Sequence, residues 1–194
     1  MTLKSNAELE LVYLKDRTSW RSWLKNHHKN KTEIWFMFPK KASGMPGISY
    51  NDAVEEALCF GWIDSTARSY DEDFSIQRFT PRRKNSSYSQ PNKERLKWLD
   101  SQNMIEPSIR EAIKEIIEKE FVFPKDILQA IKKNKTAWEN YERFSAGYRR
   151  LRVAYIDSAR DRPEEFDKRL QHFIRKTADN KMIRGHGGVD KYYK

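Results

Sequence analysis

Two runs of strand-forming residues, Trp62–Tyr70 and Phe74–Thr80, are separated only by Asp71-Glu72-Asp73. So short and acidic a connection leaves little choice but an antiparallel hairpin, and a hairpin with a hydrophobic face must find something to pack against. Along the second run Phe74, Ile76 and Arg78 point one way and Ser75, Gln77 and Phe79 the other. Arg78 thus shares a face with apolar residues. It must be paired with an acid there or hold an anion. Asp64, at the start of the facing strand, is the nearest partner in sequence.

The elements before the hairpin supply the rest of a small α+β domain. Leu9–Lys15 reads as a first strand, and Asp16 as the N-cap of a helix with Trp20, Trp23 and Leu24 at i, i+3, i+4. That helix is expected to end near Asn26-His27-His28, where adjacent histidines cannot share one face as metal ligands. Glu33–Lys40 reads as a strand that ends or sits at an edge, because Pro39 cannot donate to a ladder. A Gly- and Pro-containing loop follows, without the spacing of a phosphate-binding loop. Ser49 caps a helix from Tyr50 to Phe60, with Tyr50, Ala53, Val54, Ala57 and Leu58 as its apolar stripe and Glu55 and Glu56 on a solvated opposite face. Gly61 stops it.

After the hairpin, Pro81 closes the strand, and Arg82 to Gln90 form a polar loop with three cations and three serines. Pro91 stands at the start of a helix that points Leu96 and Leu99 inward. From Pro107 on, the pattern is helical throughout. Thr136 is read as a cap, and the later helices point Leu128, Ile131, Tyr141, Tyr148, Leu151, Leu170 and Phe173 inward. The expectation is an α+β domain over residues 1–104, with a small antiparallel sheet and flanking helices, then an all-helical module over 105–178 and a basic tail over 179–194.

Charge narrows the function classes. The net charge is +10, and residues 125–194, with 18 Lys and Arg against 10 Asp and Glu, carry +8 of it. A basic surface favours anionic partners. Arg149, Arg150, Arg152, Arg160 and Lys168 could face phosphates, which keeps weak, non-specific nucleic-acid binding open, although no helix-turn-helix or RNA-recognition signature is present. Cys59 is the only cysteine, so no intrachain disulfide forms, and its apolar setting reads as a buried, inert thiol. No stretch approaches the roughly 20 apolar residues of a membrane span, and the expectation is a cytoplasmic protein. No His/Cys/Asp/Glu set has zinc spacing, no serine has a base nearby in sequence, and neither a metal nor another cofactor is implied.

The candidate site lies in the hairpin and the loop after it. Lys40, Arg78, Arg82, Ser87, Ser89 and Asn92 could converge on a phosphate or carboxylate, with Asp64 beside them. Trp35, Trp62 and Tyr88 could line such a pocket, though Trp35 and Trp62 suit a core equally well. An Asp64–Arg78 salt bridge fixing the hairpin is favoured over a catalytic role for that pair.

These residues also carry a resemblance. Trp20-x-x-Trp23-Leu24-x-x-His27, Trp35-x-x-Phe38-x-Lys40-Lys41, the run from Ser49-Tyr50 through Ala57-Leu58-Cys59-Phe60-Gly61-Trp62-Ile63-Asp64, Arg78-Phe79-Thr80-Pro81-Arg82 and Ser87-Tyr88-Ser89-x-x-Asn92 resemble the YdeI/OmpD-associated, bacteriocin-protection family, as do Ala137-Trp138-x-x-Tyr141 and Tyr148-Arg149-Arg150. The resemblance implies a small bacterial cytoplasmic protein and no established reaction. This chain departs from the family pattern at Tyr88, where Trp is usual, and at Asn103, where Gly is usual. It also lacks an arginine the family carries near Glu165-Phe166, which counts against an anion-binding role for the last helix. The reading that results is a binding or stress-protection protein with an anion-accepting cleft and no assigned catalytic residue. An enzyme acting on a phosphorylated or carboxylated small molecule and a nucleic-acid binder stand as alternatives.

Overall fold

A computed structural model describes residues 9–84, 86–185 and 190–192. Asn85 of the polar loop, and 186–189 and 193–194 of the expected tail, lie outside the described residues. The chain forms two compact units. The first runs to Ser87 and takes in Leu99–Ile113; the second holds Tyr88–Trp98 and everything from Lys114 on. The sequence draws its boundary at 104–105 instead. The fold is α+β, with the strands in the first unit and, among the described residues, helices alone in the second.

In the first unit the order is β1 (Leu11–Val12), α1 (Arg17–His27), β2 (Ile34–Pro39), α2 (Tyr50–Cys59), β3 (Trp62–Ser69) and β4 (Phe74–Pro81). The sheet order is β1-β2-β4-β3. Its pairs are antiparallel except β1 with β2, which run parallel, so the sheet is mixed rather than wholly antiparallel. A connection that contains a whole helix lets β2 enter beside β1 in the same direction, as a tight hairpin cannot.

The local signals work as chemistry dictates. Asp16 accepts the Ser19 amide at 2.8 Å to start α1. Ser49 accepts the Asp52 amide at 3.1 Å to cap α2 and donates its hydroxyl to Oδ2 of the same residue at 2.7 Å. Gly61 leaves α2 at φ 72, a left-handed conformation that costs glycine nothing. Asn103 stands at φ 53, which explains the family's preference for Gly there: Asn is one of the few other residues that tolerates the left-handed region.

Between the helices and the sheet lies an aromatic core. Trp20 is fully buried, meets Phe36 edge-on at 4.8 Å and Phe79 at 5.6 Å, and donates its indole N–H to the Ala53 carbonyl at 3.0 Å. Trp62 is 1% exposed and donates to the His28 carbonyl at 3.1 Å. An indole can be buried because its one donor finds an acceptor. The stripe expected on α2 holds at Ala53, Val54, Ala57 and Leu58, but Tyr50 faces water.

Glu55 and Glu56 overturn their expected place on a solvated face, since both are wholly buried. Arg17 reaches Asp52, Glu55 and Glu56 at 2.8, 3.0 and 2.5 Å, and Arg21 reaches Glu56 at 2.7 Å. Arg17 and Arg21 are four apart on α1 and so share a face. Two arginines on one helix are enough to take the neighbouring helix's acids out of water.

The second unit contains most of α3 (Gln90–Ser101), which ends in the first unit, where α4 (Pro107–Ala112) also lies; α5 (Lys114–Glu118), α6 (Lys125–Lys132), α7 (Lys135–Arg143), α8 (Ala146–Asp157) and α9 (Pro163–Ala178) complete it. Its core gathers Ile127, Ile131, Tyr141, Tyr148, Val153 and Phe173 from four helices. Asn134, not Thr136, caps α7, accepting the Ala137 amide at 3.0 Å. Ser145 caps α8 by accepting the Tyr148 amide. Arg150 grips the buried Glu94 with two bonds of 2.7 Å.

Candidate functional site

The polar residues singled out around the hairpin are placed apart. Arg78 pairs with Glu33, not with Asp64. Asp64 sits opposite Phe79 in the β3–β4 register, one residue away from Arg78 and therefore on the other face of the sheet. There it accepts from the Tyr50 hydroxyl at 2.6 Å and from Gln77 at 3.3 Å. The bond from Arg78 holds the Glu33 carboxyl below its usual range.

Lys40 and Arg82 do not converge. Lys40 follows Pro39, which pairs with Phe74 at the first end of β4, and its ammonium bonds the hairpin at Ser69 Oγ (3.1 Å) and the Asp71 carbonyl (2.5 Å). Arg82 follows Pro81 at the opposite end, about 23 Å away for seven residues of strand, and donates to the Ser87 carbonyl. Tyr88, Ser89 and Asn92 belong to the second unit. Asn92 accepts there from Arg95 at 2.9 Å. Of the aromatic residues, Trp62 is core, and Trp35 is 7% exposed under the Arg68 guanidinium, 4.3 Å from its ring.

Cys59 is buried, and burial first, then the nearby Glu56 charge, pushes its thiol up to about 12. A thiol so held is no nucleophile at neutral pH. Among the described residues no group of three His, Cys, Asp or Glu side chains could hold a metal ion, and no helix is long and apolar enough to cross a membrane.

A cleft of about 720 Å³ opens in the second unit, where sequence reasoning did not look. Its walls are α8, α9 and the segment that follows α9. Lys168, Arg169, His172 and Arg175 line it from α9, spaced so that they form one stripe of that helix. Arg152 comes from α8 and Arg184 from the returning segment. Five cations thus face one carboxylate, that of Glu165. The last helix lines the cleft even without the arginine that the family carries near Glu165.

Two of the cations are held firmly. Arg169 donates to Glu165 at 2.7 Å and to the Tyr155 carbonyl at 2.8 Å, with its guanidinium 3.9 Å from the Tyr155 ring centre. The Arg169 bond also holds the Glu165 carboxyl low, so this acid stays ionised and anchors the arginine. Arg152 is 4% exposed, lies 5.4 Å from the Tyr148 ring centre and donates through one nitrogen to the Ile183 carbonyl. Its Nε is buried with no hydrogen-bond partner. Buried polar groups are nearly always satisfied, so Arg152 keeps an unmet donor on a residue that lines the cleft.

The returning segment is fixed by the same chemistry. Asn180 at φ 53 turns the chain at the end of α9, and the Ile183 amide donates to the Tyr148 hydroxyl at 2.8 Å. His172 accepts from Arg175 through Nδ1 at 3.1 Å. Burial, then the charges of Arg175, Lys176 and Arg152, lower its pKa, so its imidazole is neutral at pH 7.

Two of the cations expected to face nucleic acid are committed to acids. Arg150 is paired with Glu94, and Arg160 with Asp126 and Asp157. Arg152 and Lys168, from the same set, line the cleft.

Two family models match successive stretches of the chain. Residues 120–180 match the family model described as bacteriocin-protection, YdeI or OmpD-associated, the family that the sequence resembles. Residues 12–112 match a model described as a domain of unknown function, DUF8412. Neither curated proteins nor solved structures show a match. Residues 120–180 are thus similar to the bacteriocin-protection, YdeI or OmpD-associated family, and the chain belongs to the DUF8412 family, whose model spans just over half of it.

Proposed function

We propose that this chain is a binding protein for small anions and that its binding site is the cleft between α8, α9 and the segment after α9. The observation that carries the reading is Arg152: an almost wholly buried cation with an unsatisfied Nε, on a cleft where five cations face one acid. The reading keeps the anion preference expected from the sequence and moves its place. Lys40, Asp64, Arg78 and Arg82, the charged residues put forward first, each spend hydrogen bonds on neighbours in the protein. The bacteriocin-protection description of the matching module suits a protein that binds rather than transforms. A lone, buried cysteine suits a reducing compartment, and we place the protein in the cytoplasm.

The test is a thermal-shift series with phosphate, sulfate, citrate and chloride at constant ionic strength. A ligand that binds only the folded state raises its stability. Multivalent anions are expected to raise the melting temperature of the wild type and to do so far less in Arg184→Ala. Equal effects of chloride and phosphate, unchanged by Arg184→Ala, contradict the reading.

One observation favours a second, enzymatic reading. His172 is a neutral imidazole among cleft cations, where it could take a proton from a bound phosphorylated or carboxylated molecule. Turnover of a bound anion that disappears in His172→Gln, with binding retained, would establish that reading.

A further inference from the structure

We infer that the ligand of this cleft is a soluble phosphomonoester carried on an aromatic or otherwise apolar body. The inference rests on the anion-binding reading of the cleft and adds the chemistry of the ligand.

The head group follows from the cations. Four of the five are arginines, which present forked N–H donors suited to oxyanions. They come from three directions: Arg152 from α8, Arg169 and Arg175 from α9, and Arg184 from the returning segment. A carboxylate has one charge and two oxygens in a plane, and one guanidinium fork satisfies it. A monoester phosphate has three free oxygens pointing apart and close to two charges at neutral pH. It can meet several arginines at once, and it suits a cleft with five cations and one carboxylate. Arg152 and Arg169 are already held by the Ile183 carbonyl and by Glu165 and Tyr155, so little freedom is lost when they bind.

The body follows from the remaining space. A volume near 720 Å³ lies in the range of sites for drug-sized molecules and far exceeds what a phosphate fills. The half-buried Tyr155 and Ile183 line it above the buried Ile156 and Phe173. Inorganic phosphate alone would leave this apolar part of the wall in water. A nucleic acid needs a run of cations along a surface, and Arg150 and Arg160, which would extend one, are tied to acids.

Calorimetric titration of the full chain at low salt with 1-naphthyl phosphate, inorganic phosphate and 1-naphthoate tests this. The naphthyl phosphate is expected to bind at least about tenfold tighter than either of the others, since each lacks one of the two recognised parts. Arg184→Ala should weaken both phosphates. Ile183→Ser, whose backbone bonds to Tyr148 and Arg152 remain, should weaken the naphthyl ligands and leave inorganic phosphate unchanged, with the helical circular dichroism unaltered. Equal binding of the two phosphates overturns the apolar body. Equal binding of naphthoate and naphthyl phosphate overturns the phosphate head. Both results leave the anion cleft itself standing. No binding by any of the three, with Arg184→Ala silent, overturns the cleft as well. Binding confined to vesicles that contain phosphatidic acid would assign the phosphomonoester to a lipid and overturn its being a soluble molecule.

Discussion

Arg17 donates from Nε to Oε1 of Glu56 across 2.5 Å, although 39 residues separate the two in sequence. Glu56 is wholly buried, and Arg21 fills its other oxygen. Glu56→Ala would leave two half-buried arginines short of an acceptor and a hole where the buried carboxylate stood. The expected cost is about 2–4 kcal/mol in urea unfolding, because breaking a buried pair strands the partner. The exposed pair Lys31–Glu10, at 2.6 Å, is the control, and Glu10→Ala should cost less than about 1 kcal/mol. Similar losses for the two variants would show that the α1–α2 ion network is not what holds these helices together.

Gly61 offers a second measure of the first unit. Its φ is 72, and a Cβ built on it would stand 2.9 Å from Cδ1 of Ile109. Gly61→Ala adds left-handed backbone strain to a contact that Ile109 can relieve only by shifting its end carbon. Destabilisation of about 1–2 kcal/mol is expected. A neutral or stabilising outcome would mean that the turn after α2 relaxes freely.

Cys59 should be silent in the native state. With its thiol pushed up to about 12 and its side chain buried, an aromatic disulfide reagent at pH 8 should label nothing in the folded protein and one thiol per chain in denaturant. Fast native labelling would contradict both the burial and the pKa.

His172 gives a pH-dependent readout of the cleft. Its folded pKa lies below its ordinary 6.5, through burial and then the charges of Arg175, Lys176 and Arg152. The unfolded chain therefore binds more protons in the window just below 6.5. This residue's contribution to stability is complete above 6.5 and is lost as pH falls through 6.5 toward the folded value. Proton NMR of the imidazole should show a native midpoint under 6.5. Adding phosphate should move that midpoint upward, because a bound anion offsets the three cations. A native midpoint at or above 6.5 without ligand would contradict this electrostatic picture.

How much of this was legible beforehand depends on the range of each interaction. The caps at Asp16 and Ser49, the stop at Gly61 and the hairpin across Asp71–Asp73 act within a few residues, and their chemistry is written in local spacing. Glu55 and Glu56 were misread because their burial depends on arginines more than 30 residues away. The signal was present but indirect: Arg17 and Arg21 four apart, and an acid cluster on the next helix. Arg78 was correctly placed on an apolar face in need of an acid, and the acid is Glu33, because strand parity puts Asp64 on the other side. The parallel pairing of β1 depends on a crossover that no local pattern records. The cleft escaped notice because the helix face was scored for its apolar residues. The spacing of Lys168, Arg169, His172 and Arg175 marks a basic stripe on α9 that a scan for charge at helical period would have found.

The segment after α9 gives the cleft an unusual ancestry. The bacteriocin-protection match stops at residue 180, whereas Ile183 and Arg184, which complete the wall, come after it. Tyr148 and Arg152 grip the backbone of Ile183, and its side chain packs against the helical core. A change at the exposed Arg184 can therefore alter this wall while the backbone bonds that seat it stay as they are. Proteins that share the module are expected to share the arginines of the floor and to differ in what they admit.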